Sequence, residues 1–141
     1  MREILFRGKR EEDGEWAYGS FVPDAIEVRG SKIIMPGFIR NYDFGHESGC
    51  KVLMHEVDRE TVGQFTGLTD KNGKKIFEGD IIELERGWGE KVRYIVKYDT
   101  EICSFIGDGI NYIGFTTFEN DGERIEVIGN IHDNPELLKG E

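Results

Sequence analysis

The segment Thr69-Asp70-Lys71-Asn72-Gly73-Lys74-Lys75 constrains the fold more than any other stretch of this chain. Asn-Gly supplies two neighbouring positions that tolerate positive φ, which a tight antiparallel hairpin requires. Phe65 and Leu68 precede the turn and Ile76 and Phe77 follow it, so both arms have apolar residues to bury. Glu78-Gly79-Asp80 reads as a second turn, after which Ile81–Glu85 is predicted to be a strand. Lys91–Tyr98 then places Val92, Tyr94, Val96 and Tyr98 on one face, the alternation of a half-buried strand. A chain that reverses this often builds antiparallel sheet.

The same signals continue in both directions. Further strands are predicted at Ile4–Arg7, Glu15–Val22, Ala25–Val28, Ser31–Ile39, Cys50–Val57, Ile102–Ile106, Tyr112–Phe118 and Ile125–Ile131. The Ser31–Ile39 strand bends or ends near Pro36-Gly37, because proline cannot donate to a central ladder. Asn41–Gly49 reads as a polar, glycine-bearing loop. Helical periodicity is nearly absent. Asp58–Phe65 has room for one short helical turn, and Pro135 behind Asn134 suits a terminal turn ending at Leu138. Nineteen glycines against three prolines, scattered between short apolar runs, fit a mainly β fold, a small barrel or a sandwich. At 141 residues the chain makes one ordinary domain or two small ones, and a chain of this size buries about 68% of its unfolded surface without needing metal or disulfide staples. Its charged fraction is high, but two Trp, five Tyr and nine Phe supply burial that disordered chains lack.

The formal charge of −10 bears on partners. Proteins held on duplex DNA by phosphate contacts cluster Lys and Arg. Here Arg7, Lys9 and Arg10 are followed at once by Glu11, Glu12 and Asp13, so non-specific nucleic-acid binding is not expected. Arg2 and Glu3 precede only a three-residue apolar run, which is no signal peptide. The longest uncharged apolar stretch, Ile33–Ile39, is too short to span a bilayer, so no membrane contact is expected. Two cysteines without secretory context read as reduced thiols, and the expected compartment is the cytoplasm.

Candidate chemistry is sparse. His46, Cys50 and His55 form the one cluster of metal-ligand residue types, but zinc takes four ligands, commonly as two close pairs. Three unevenly spaced candidates read better as loop polarity plus a small buried thiol, so neither metal nor other cofactor is expected. Cys103, inside the apolar run Ile102–Ile106, is expected to be buried and unreactive. Glu78 and Asp80 flank a glycine, where carboxylates are solvated or cap backbone amides. Gly107-Asp108-Gly109 has no following helix to bind an anion. No catalytic residue is assigned, and no enzymatic activity is expected. Trp88, in Arg86-Gly87-Trp88-Gly89-Glu90, is the candidate binding residue. Its glycine neighbours offer no side chains to bury it. It either folds back over the rim of the barrel or anchors a partner, as interface hot spots favour Trp.

Two segments go beyond generic β patterning: Val57–Ile82, which contains the Asn72-Gly73 turn, and Glu126–Leu138, which contains Gly129-Asn130-Ile131-His132-Asp133-Asn134-Pro135. With Arg2–Arg7 and Trp16-Ala17-Tyr18-Gly19, these stretches resemble the YopX family of phages, prophages and bacterial mobile elements. The resemblance implies a β-rich N-terminal part over residues 1–66 and an SH3-like barrel over 67–141, the stretch that also carries the short C-terminal helical turn. It implies no reaction and no catalytic residue. Three functional readings follow. The first is a non-enzymatic phage-type protein acting through protein partners or self-association. The others are a nucleic-acid-associated SH3-like barrel and an acidic DNA mimic that occupies a host protein.

Overall fold

The computed structural model describes residues 2–22, 26–28, 31–33, 38–45, 49–110, 114–118 and 124–139, with no account of the side chains of 23–54. All sheet pairing among these residues is antiparallel, and the chain is mainly β. It divides into two compact units, Met1–Gln64 and Phe65–Glu141.

In the first unit, β1 (Phe6–Lys9) pairs with β2 (Trp16–Val22) across a turn at Glu11–Asp13. Strand β1 starts two residues later than expected, leaving Ile4 exposed. Arg10 ties the turn down with ion pairs to Glu12 at 3.0 Å and Asp13 at 3.4 Å. The basic run noted in the sequence is thus largely internal. Arg7 and Lys9 stack on the Trp16 ring, at 4.5 and 5.6 Å from its centroid. Strand β3 (Ile26–Val28) pairs with β4 (Ser31–Ile33), and β2 pairs with β5 (Phe38–Gly45). The expected break at Pro36-Gly37 lies outside the described residues.

Strand β5 overturns the loop expected at Asn41–Gly49. Asn41–Gly45 pairs with β6 (Gly49–Glu56) through Asn41↔Leu53, Tyr42↔Val52 and Phe44↔Cys50. A long partner strand gives the backbone a ladder, and this outweighs a polar composition. A single 3-10 turn, Arg59–Thr61, follows, capped by the Asp58 carboxylate on the Glu60 amide. Val57 and Ala17 form a small core with Phe6 and Val62.

Strand β7 (Gly63–Thr69) runs through the boundary between the units. Gly63 and Gln64 pair with β1, whereas Phe65 and Thr69 pair with β8 (Lys75–Phe77). The β7–β8 hairpin differs from the expected two-residue turn in one respect: only Gly73 has positive φ. The Asp70 carboxylate organises the rest, accepting from the amides of Asn72 and Lys74, each at 2.9 Å. An acceptor at the turn's first position lets Asn72 keep an ordinary conformation.

The second unit is built on an open five-stranded sheet. Strands β9 (Asp80–Arg86), β10 (Glu90–Asp99) and β11 (Ser104–Gly109) form a meander continued by β12 (Phe115–Thr117). Strand β13 (Ile125–Asn130) returns to pair with the far side of β9, giving the order β12-β11-β10-β9-β13. The SH3-like barrel implied by the resemblance is not closed. Closure needs the edge strands to pair, but β12 is only three residues long and, among the described residues, pairs with β11 alone. The β7–β8 hairpin covers the sheet instead. Its Ile76 enters a core of Ile82, Leu84, Val92, Tyr94, Val96 and Ile125. Main-chain bonds from Lys71 to the Ile125 carbonyl and from Gly79 to the Val96 carbonyl fix this cover. The expected terminal turn is a 3-10 turn at Pro135–Leu138.

Gly107 shows how tightly β11 lies over this core. A Cβ there would stand 2.9 Å from Tyr94 Cβ, closer than such atoms pack, and a tight 3.1 Å from Thr116 Cγ2. Gly107→Ala is expected to cost about 2 kcal/mol, the scale of overpacking a core. Urea unfolding checks it: a lower midpoint with an unchanged slope is the expected result.

Candidate functional site

Strands β9 and β10 are joined by Gly87–Gly89, a tight three-residue turn between the paired residues Arg86 and Glu90. Both arms are pinned by a long ladder, so the tip is held at its base. Trp88 sits at the tip with φ 77° and ψ 16°, the left-handed region that L-residues avoid. Such a conformation costs about 1–3 kcal/mol where the residue is not glycine. Trp88 is 106% exposed, so it does not fold back over its own sheet. Of the two readings open from sequence, the rim-covering one is not what the fold adopts.

Beside the indole lies an open cleft of about 360 Å³, lined by Lys71, Glu85, Arg86, Arg124 and the Trp88 loop itself. These residues come from three places in the chain. Lys71 is carried by the β7–β8 turn, whose main chain is bonded to Ile125 at 3.0 Å. Arg124 directly precedes Ile125, which pairs with Leu84 next to Glu85. Arg86 ends β9, and its guanidinium donates to the Tyr94 hydroxyl at 2.7 Å. Lys71 also pairs with Glu126 at 3.1 Å. The cleft beside the exposed ring thus holds Lys71, Arg86 and Arg124 together with Glu85, and Lys71 is already engaged by Glu126.

The other sequence candidates are not brought together with this cleft. His55 lies on β6, while His46 and the Cys50 side chain fall outside the described residues. Among the described residues, no group of three His, Cys, Asp or Glu is arranged to hold a metal ion. Cys103 is not buried. Strand β11 starts only at Ser104, and Cys103 is exposed in the turn before it, with φ 53°. The Asp99 carboxylate accepts from the amides of Glu101 and Ile102, which wraps the chain into a turn and carries Ile102 and Cys103 out to solvent. Asp80 is buried, its carboxylate accepting from the Phe77 amide at 2.8 Å, so of the two roles open from sequence it caps the backbone and is not solvated.

Sequence comparison decides the family. Residues 5–139 match the family described as YopX protein. The chain belongs to the YopX family. A solved structure similar in fold to this YopX-family chain is the crystal structure of protein EF1440 from Enterococcus faecalis, with a TM-score of 0.57 and 24% identity over 99% of this chain and 100% of that one. At that identity the likeness is one of fold. Comparison with curated proteins returned no match. Among the described residues, no helix of this YopX-family chain is long and apolar enough to cross a membrane.

Proposed function

We propose that this YopX-family chain is a non-enzymatic, phage- or prophage-type protein that acts in the bacterial cytoplasm through protein–protein contacts, with the Trp88 loop as the contact. The carrying observation is the state of Trp88 itself: a fully exposed indole held in an unfavourable backbone conformation at the tip of a pinned hairpin. The ring contributes no burial to its own unit, and the conformation costs stability, so selection for stability alone does not account for it. Tryptophan anchors interface cores because one rigid ring buries a large area on few torsions. A rigid base reduces the ordering that binding would otherwise require.

The test is Trp88→Ala. The substitution removes no buried surface and is expected to change unfolding free energy by no more than about 0.5 kcal/mol. It is expected to abolish either self-association, read by sedimentation of the pure protein, or one specific partner captured from host lysate. A melting temperature lowered by many degrees, with association and partners unchanged, would mean that Trp88 serves the fold and would refute the proposal.

A further inference from the structure

We infer that the partner at the Trp88 loop is a second copy of this chain, docked about a two-fold axis so that each copy's indole enters the other's cleft. This rests on the reading of Trp88 as a protein contact and names what it contacts. A two-fold contact needs one patch that complements itself, each projection meeting a recess and each charge its opposite. The loop and its cleft meet both conditions.

In shape, the exposed indole forms one wall of the cleft of about 360 Å³, so projection and recess belong to one patch. A two-fold axis through that patch seats each indole in the opposite recess and brings the two rings within stacking range. Gly87 leaves room for the second tip. Its φ is not in the left-handed region, and a Cβ there would meet nothing within 4 Å. Among the described residues, therefore, nothing in its own chain demands glycine. A bare backbone at that point suits the close approach of another chain.

In charge, the patch is balanced on an acidic chain. Lys71, Arg86 and Arg124 stand with Glu85, Glu90 and Glu126, although the chain's net charge is −10. Two copies of such a chain repel each other over most of their surface, and least where the local charges cancel. Lys71 and Glu126 already engage each other. Glu85 and Arg124 are both exposed in the cleft wall, and among the described residues neither has an ion-pair partner. The two-fold sets Arg124 against Glu85 of the partner subunit and Glu85 against the partner subunit's Arg124. Opposite charges left single in one copy are thereby paired twice in the dimer.

Sedimentation equilibrium of the full chain is the test. A monomer–dimer equilibrium is expected, and a chain still monomeric at about 100 µM overturns the inference. Trp88→Ala and Gly87→Gln are each expected to weaken the dimer about tenfold or more. Glu85→Lys and Arg124→Glu each set like charges together across the axis and are expected to do the same. All four positions are exposed, and a thermal melt verifies that each variant keeps its fold. The deciding step is to mix Glu85→Lys with Arg124→Glu in equal amounts. A heterodimer is expected to form, because the introduced lysine then faces the introduced glutamate while Arg124 of one chain faces Glu85 of the other. Each chain keeps its own substitution, so recovery on mixing is not repair of either fold. A mixture that stays monomeric, or a dimer indifferent to all four substitutions, overturns the inference. Its failure is distinguishable from failure of the underlying reading. If the pure protein is monomeric while Trp88→Ala loses a partner captured from host lysate, the protein contact stands and the second copy falls. If Trp88→Ala changes neither, both fall.

Discussion

Tyr94→Ala is expected to destabilise the second unit by about 3–5 kcal/mol, the scale for removing a large buried aromatic side chain. Tyr94 is 0% exposed and lies among Ile76, Ile82, Leu84, Val92, Val96 and Ile125, contributed by four different strands. Its neighbour on β11 is Gly107, packed against the base of the Tyr94 side chain. Natural domains hold only about 5–15 kcal/mol in reserve, so the variant is expected to be largely unfolded well below the wild-type melting temperature. Tyr94→Phe separates packing from hydrogen bonding. It keeps the ring and loses only the bond to Arg86, and is expected to cost about 1 kcal/mol. Circular dichroism melts of the two variants check the pair. Equal losses for both would mean that the hydroxyl, rather than the ring, dominates.

Much of this core is readable from the chain. Val92, Tyr94 and Val96 are buried as the period-two pattern demands, whereas Tyr98, the fourth residue of the predicted face, is exposed near the end of β10. The turn at Asn72-Gly73 marks its hairpin directly, since glycine at positive φ is a local requirement that local sequence states. Elsewhere a long-range partner decides. Asn41–Gly45 has the composition of a loop and becomes a strand because β6 lies beside it. Ile102 and Cys103 have the composition of a strand and become a turn because one carboxylate, Asp99, takes two amides. The strand signals of a small barrel are present, but whether its edges meet depends on strand length and register, and among the described residues β12 and β13 stay at opposite edges of the sheet.

The candidate site is half legible for the same reason. Trp88 between two glycines stands out, and Arg86 is its neighbour in sequence. Lys71 and Arg124 are far from it along the chain. They arrive only because β13 crosses back to β9 while the β7–β8 turn bonds to the start of β13. Non-consecutive pairing of this kind leaves no mark within a sequence window, so the cleft is invisible until the sheet order is known.

The Asp70 carboxylate holds that junction together, and its removal is expected to be the most pH-revealing change in the chain. Asp70 is buried, with Oδ1 accepting from Asn72 and Lys74 and Oδ2 from the Val127 amide at 3.0 Å. It thus clips the β7–β8 turn to β13. Burial pushes the carboxyl up, but the amides of Val127, Lys74 and Asn72, aided by the Lys74 charge, outweigh it and hold the group below its ordinary value of 3.8. A carboxyl depressed by folding stabilises the native state when ionised. Its contribution is therefore complete above the ordinary value and is lost as pH falls through the lower, folded one. Asp70→Ala strands three amide donors and is expected to cost about 2–3 kcal/mol at pH 7, each unmet donor weighing about 1 kcal/mol. Asp70→Asn keeps one acceptor oxygen but turns an amide donor toward a backbone donor, and is expected to cost somewhat less. Urea unfolding of wild type and Asp70→Asn from pH 7 to pH 2 isolates the group, because the other carboxylates titrate in both proteins. The stability difference is expected to hold steady at neutral pH and to shrink below pH 4. A difference that stays constant down to pH 2 would mean that the Asp70 charge contributes nothing, leaving the clip a matter of shape alone.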